Sequence, residues 1–300
     1  MGLSLIIKKI NKIMNYKRRD FLKITSALAS GIAFTGISSQ LTACKSTSKL
    51  SGKNNKFGLQ LYSLRDDLPK DPKGVLKQVA SFGYQQIEGF EGPQGIYWGM
   101  KNTEFKKYMD DLGMQIISSH CNYKENLEQK ADEAAAIGMK YLMCPYLGPQ
   151  KDLDSFKRAA EVFNKSGEIC KQRGLRFAYH NHDYSFKKVE GQYPQDVLMQ
   201  NTDKSLVDFE LDMYWIVASG HDPFEWFNKY PDRFRLGHVK DKKGNETTTL
   251  GTGTIDYPAI LKEAEKHGMQ YFIVEQEQYE GTTPLAAAKD DAAYMKKLKV

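Results

Sequence analysis

From Phe57 onward the chain repeats one unit: a short apolar run, a polar turn, and a longer segment with helical periodicity. Five of the helical segments end at a glycine just before the next apolar run: Gly83, Gly113, Gly138, Gly174 and Gly268. A glycine past the last helical turn accepts the left-handed conformation that closes a helix. Recurring helix–glycine–strand junctions therefore mark a repeated αβ unit, and such alternation implies a parallel sheet covered by helices. Strands are expected at 57–62, 86–90, 115–120, 141–145, 176–180, 207–212, 234–239 and 271–275. Helices are expected at 72–82, 103–112, 127–137, 155–173, 194–201, 221–228, 257–266 and 285–297. In the segment 155–173, Phe156, Ala159, Ala160, Phe163, Gly167, Ile169 and Cys170 recur at helical spacing on one face. Eight parallel strands close a barrel, and the stretch 57–300 matches the ~250 residues usual for one. The expectation is a single α/β domain, a (β/α)8 TIM barrel. A doubly wound open sheet would carry a glycine-rich phosphate turn after its first strand, and Leu59-Gln60-Leu61-Tyr62-Ser63-Leu64 is nothing of the kind.

The segment before the barrel reads as an address. Arg18-Arg19-Asp20-Phe21-Leu22-Lys23 precedes an uncharged stretch, Ile24 to Leu41, and then Leu41-Thr42-Ala43-Cys44. This resembles a twin-arginine export signal ending in a lipobox. Its apolar stretch holds too many Ser, Thr, Gly and Gln residues for a stable membrane span of about 20 residues. Cleavage before Cys44 and diacylation of that residue are the expectation, with 44–56 as a flexible tether holding the barrel on a periplasmic membrane surface. Met14, just ahead of the paired arginines, offers an alternative start. The leader also carries the charge: residues 1–43 hold seven Lys and Arg against one Asp, which is the whole formal excess of +6. From Cys44 onward acidic and basic residues balance, so the clustered cationic surplus of a nucleic-acid binder is missing. Cys121, Cys144 and Cys170 are an odd set without metal-type spacing and read as free buried thiols.

In barrels of this kind chemistry sits at the carboxyl ends of the strands. The second strand delivers Glu88 there, the third His120, the fifth His180, Asn181 and His182, the sixth Asp212, the seventh His238 and Lys240, the eighth Glu275 and Glu277. Alternation sharpens this set. In the sixth strand Val207, Phe209 and Leu211 suit the helix layer, which leaves Asp208, Glu210 and Asp212 inside. Phe234, Leu236 and His238 share a face, as do Ala178, His180 and His182, and Tyr271, Ile273 and Glu275. Two imidazoles and two carboxylates at one opening make a mixed N/O site, suited to Zn, Mn, Co or Fe(II) rather than to Ca.

The motifs Tyr179-His180-Asn181-His182-Asp183, Glu210-Leu211-Asp212-Met213-Tyr214-Trp215, Gly237-His238-Val239-Lys240-Asp241, Gly251-Thr252-Gly253-Thr254-Ile255-Asp256 and Val274-Glu275-Gln276-Glu277 arrive in one order. They resemble the xylose isomerase-like barrel superfamily, and within it the sugar phosphate isomerases/epimerases. The resemblance implies one divalent metal held by His180, Asp212, His238 and Glu275. It departs from the family at His180, where epimerases that work on both faces of a carbon use a glutamate.

The expected chemistry is polarisation of a sugar carbonyl and its neighbouring hydroxyl by the metal. Glu275 or His182 would remove the adjacent proton, and Lys240 or a second His would steady the enediolate. Glu88, His120, Tyr62 and Trp215 are the candidates for substrate contact, and Phe90, Trp98 and Tyr146 are further aromatics that could stack on a sugar. The Gly251–Gly253 turn could bring backbone amides to a substrate. Since no phosphate cradle is evident, a free sugar, keto sugar or glycoside is expected. Competing expectations are a lyase or hydrolase of 3-keto-glycosides or a keto-inositol dehydratase on the same scaffold, and a non-catalytic carbohydrate-binding lipoprotein.

Overall fold

The structure is a computed structural model and describes residues 56–298. The export signal, Cys44 and most of the tether lie outside these residues. Eight parallel strands close into a barrel: β1 (Gly58–Gln60), β2 (Gln86–Phe90), β3 (Gln115–His120), β4 (Tyr141–Cys144), β5 (Arg176–His180), β6 (Val207–Asp212), β7 (Phe234–Val239) and β8 (Tyr271–Val274). Each strand pairs with its neighbours in sequence, and β8 pairs with β1 to complete the ring.

The covering helices are α1 (Pro72–Phe82), α2 (Asn102–Asp111), α3 (Leu127–Ala136), α4 (Leu153–Lys171), α5 (Pro194–Asn201), α6 (Met213–Ala218), α7 (Pro223–Lys229), α8 (Tyr257–Lys266) and α9 (Pro284–Met295). Their starts follow local chemistry. Asp71, Asp152, Asp222, Asp256 and Thr283 each accept a backbone N–H of the first turn, and proline opens or follows the opening of α1, α5, α7, α8 and α9. The five junction glycines all take positive φ, between 70 and 99°. Several elements depart from the sequence expectation: the strand expected over 57–62 stops at Gln60, and Leu61–Leu64 and Asp183–Phe186 form 3-10 helices. The helix expected over 221–228 is preceded by a separate short one, α6, capped by Asp212. A two-stranded hairpin, Asp241–Lys243 with Glu246–Thr248, follows β7.

Alternation along the strands sorts side chains between two cores. Val207, Phe209 and Leu211 join the large core under the helices, whereas Tyr141, Met143, Ala178 and Leu236, with Tyr271 against them, fill the barrel axis. Phe234 breaks the expected parity. The register between β6 and β7 shifts so that Phe209 faces Phe234 while Glu210 faces Leu236, and this turns Phe234 outward onto Phe209 and Phe227. Near the strand starts Arg176 closes on Asp208 in a two-pronged ion pair. Toward the carboxyl ends the barrel filling becomes polar.

Candidate metal centre and sugar cavity

Four strands in succession deliver the first group of candidate ligands. His180 ends β5, Asp212 ends β6, His238 lies in β7, and Glu275 follows β8, held by its N–H to the Val239 carbonyl at 3.2 Å. One donor atom from each lies within 4.8 Å of the others, and all four residues are buried. His180 Nε2 is 3.2 Å from Asp212 Oδ2, His238 Nδ1 is 2.8 Å from Glu275 Oε2, and His238 Nδ1 is 3.7 Å from Asp212 Oδ2. Donors about 2.0–2.2 Å from a common ion stand roughly 3–3.5 Å from one another, so the spacing fits a metal.

The hydrogen bonding fits as well. Burial, and then the charge of His238, hold His180 down at about 4, so its ring is neutral with one N–H. That single proton faces two acceptors, the Pro145 carbonyl at 3.1 Å from Nδ1 and Asp212 at Nε2. One contact must set lone pair against lone pair, and a cation at Nε2 removes the conflict while Nδ1 donates to the carbonyl. His238 Nδ1 is buried without a hydrogen-bond partner of usable geometry, and Glu275 Oε2 beside it is met by the Lys240 ammonium at 2.6 Å. Asp212 is fixed from behind: its Oδ1 accepts the N–H groups of Tyr214 and Trp215 and so caps α6, and its own N–H donates to Asn181.

A second group lies beneath. His238 turns its Nε2 to Glu88 Oε1 at 2.7 Å and to Glu210 Oε2 at 3.2 Å, and His120 Nε2 reaches the same two carboxylates at 3.2 and 3.0 Å. Gln60 and Ser118 donate to Glu88 at 2.7 and 2.5 Å. Burial and then the Glu88 charge raise Glu210 to about 7, while burial fails to offset the two carboxylates around His120, which stands at about 9. This is the arrangement of a carboxylate that holds a ligating imidazole by its other nitrogen. Glu88 is thus fully enclosed under the site and does not line the cavity, whereas His120, 7 % exposed, does.

The cavity above has a volume of about 550 Å³ and reaches from His180, His182, Lys240 and Glu275 to Tyr62, Tyr146 and Lys124. Lys240 Nζ sits 2.8 Å from Asp212, 2.6 Å from Glu275 and 2.6 Å from Glu277. Burial works against its charge, but these carboxylates keep the ammonium well above its ordinary pKa. His182 is the opposite case: burial, then His180 and Lys240, hold it neutral, down to about 2, and its Nδ1 has no partner. Trp215 lies behind His182, ring centres 5.7 Å apart, and contributes no wall to the cavity; Trp98 likewise stays behind Phe90.

Residues 76–298 match the model of the xylose isomerase-like TIM barrel family. The chain belongs to that family. A solved structure of a sugar phosphate isomerase/epimerase from Parabacteroides distasonis is similar at 33% identity and a TM-score of 0.72, covering 85% of this chain and 97% of that one. An inosose dehydratase from Clostridium perfringens is 31% identical over 145 residues, 42% of this chain and 48% of the relative; the match thus spans about half the length of that curated relative. The zinc-containing structure of the IOLI protein shares the fold at 14% identity, a TM-score of 0.64, and coverage of 80% of this chain and 96% of that one.

In this xylose isomerase-like barrel the strand-end rule points to the four residues that the structure brings together, and to Glu88 and His120 beneath them, but not to the other residues that support them. Glu210 was marked by parity as inward-facing and given no role; Gln60 and Ser118 carry no signal at all, being neutral residues on the first and third strands. Glu91, Asn122 and Lys124 of the cavity wall belong to loops, where periodicity is silent. The Gly251–Gly253 turn is spent internally. The N–H groups of Gly251 and Gly253 donate to Asp241 Oδ2, both at 2.9 Å, and those of Lys242 and Ile255 donate to Oδ1 at 2.8 and 3.1 Å. These amides therefore do not reach a substrate.

Proposed function

We propose that this xylose isomerase-like barrel is a metal-dependent sugar isomerase or epimerase acting through an enediolate on a non-phosphorylated sugar or keto sugar, exported and lipid-anchored at Cys44. The observation that carries the reading is the buried set His180, Asp212, His238 and Glu275, whose facing lone pairs call for a cation. A divalent ion there, Zn, Mn, Co or Fe(II), supplies the Lewis acidity that polarises a carbonyl and its neighbouring hydroxyl. Glu275, on the cavity wall and ionised beside Lys240, is the base for the proton next to that carbonyl. Lys240 keeps its charge and donates to the developing oxyanion, and His182, neutral with Nδ1 free, orients a substrate hydroxyl. In the turn 251–255 the N–H groups of Gly251, Gly253 and Ile255 are turned onto Asp241 and those of Thr252 and Thr254 onto the Thr249 and Lys242 carbonyls, so this turn is committed internally and does not cradle a phosphate, which supports an uncharged sugar.

A second reading is loss of water from a keto-inositol, which the half-length inosose dehydratase likeness supports, or loss of an aglycone from a keto-glycoside by the same course. It shares the first proton abstraction and differs in what leaves. Metal analysis of purified protein, followed by NMR of sugar mixtures in heavy water, decides between them. An isomerase or epimerase returns product of unchanged mass apart from one deuterium, and a lyase releases a second product. The metal-dependent reading is sunk if the protein binds no divalent ion, or if no sugar exchanges a carbon-bound proton.

A further inference from the structure

We infer that the outer part of the cavity is a second sugar-ring subsite, so that the substrate is a two-ring glycoside rather than a free monosaccharide. This rests on the proposed function, which places the reacting ring against His180, His182, Lys240 and Glu275. One hexose, with about a dozen tightly bonded non-hydrogen atoms, fills less than half of a cavity of about 550 Å³, the liquid volume of roughly eighteen waters at ~30 Å³ each.

The remaining space is walled by aromatic rings left in solvent. Among the described residues the exposed large hydrophobics are Tyr62 at 40 %, Tyr146 at 57 % and Val162 at 41 %, and both tyrosines line this cavity. Each ring is braced from behind. Tyr62 meets the edge of Phe90 with centres 5.3 Å apart and carries the Arg65 guanidinium 4.7 Å from its own centre. Arg65 is itself tied to the carbonyls of Tyr62 and Glu277 at 3.1 and 3.0 Å. Tyr146 stands edge-on to His182 and Tyr184, at 4.9 and 5.4 Å, and the Tyr184 hydroxyl accepts the N–H groups of Leu147 and Gly148 next to it. Rings fixed in this way lose little freedom when a flat partner stacks on them. A pyranose presents an apolar C–H face to such a ring and hydroxyls around its rim. Hydroxyl partners stand on the same wall: Asn122 and Lys124, and Glu91, whose Oε2 is anchored by the Asn122 N–H and Lys130 at 2.7 Å each.

The test is saturation-transfer NMR and calorimetric titration of the metal-loaded protein with D-glucose, D-galactose and myo-inositol, and with cellobiose, lactose and the phenyl β-glycosides of both sugars. The expected result is binding of a two-ring probe roughly tenfold tighter than its single ring, with saturation on the protons of both rings. Tyr62→Ala and Tyr146→Ala, 40 % and 57 % exposed in the parent, should stay folded, and each should remove most of that advantage and leave single-ring affinity within about twofold of the parent. Equal affinity for one and two rings, or variants that weaken both classes alike, overturns the subsite alone. Failure of every probe to bind overturns the subsite and the proposed function together.

Discussion

His238 faces Glu88 with Nε2 at 2.7 Å and Glu275 with Nδ1 at 2.8 Å, so a change beneath the site would reach a metal held at Nδ1 through the orientation of one imidazole. Glu88→Ala is expected to lower metal affinity about 10- to 100-fold without touching a ligand, as read by competition with a chromophoric chelator. His238→Ala should abolish stoichiometric metal. On α9, Asp291 accepts the Leu250 N–H at 2.7 Å, and burial raises its carboxyl to about 7. In the unfolded chain it titrates near 3.9. Between those values the folded chain holds one proton more, so its stability falls as pH rises from about 4 to 7 and is then level. Asp291→Asn keeps the acceptor and should remove that slope. In urea unfolding the variant should gain on the parent between pH 5 and pH 8, by at most a few kcal/mol; an identical slope in both proteins would exclude the burial of a proton there. At this scale the sequence disclosed the residues that strand ends present, since alternation is a local rule. It did not disclose that Glu88 of β2 would meet His238 of β7, because those strands come together only across the closed barrel.

At the scale of elements, the loop after β7 is organised around an internal anion. Asp241 occupies four backbone N–H groups, and a Cβ on Gly253 would come within 2.2 Å of its Oδ1. Asp241→Asn removes the charge and half of the accepting capacity, and should cost roughly 2–4 kcal/mol in chemical denaturation, with earlier proteolysis within 249–255. Gly253→Ala should be similarly harmful. Helix and strand positions were largely legible because caps and period-2 or 3.6 patterns are written in neighbouring residues. The hairpin at 241–248 was passed over, although Gly244-Asn245 between short polar runs is a turn signal. The short α6 was hidden because Met213–Ala218 is apolar throughout and its start depends on Asp212, a residue already read as a ligand.

The whole molecule was the most readable level, since eight repeats of one unit leave few alternatives to a closed barrel. The described residues contain a complete ring and a continuous core under the helices. A chain beginning at Lys53 is therefore expected to unfold in one cooperative transition and to carry the same metal per mole as the full chain, which scanning calorimetry and elemental analysis can check. The ring also orders events in assembly. The donors come from four adjacent staves, β5 to β8, and Glu275 joins the set only with β8 seated between β7 and β1. A partly built barrel lacks the full donor set, so an ion held there would work as a clasp: opening that half of the wall would mean releasing it.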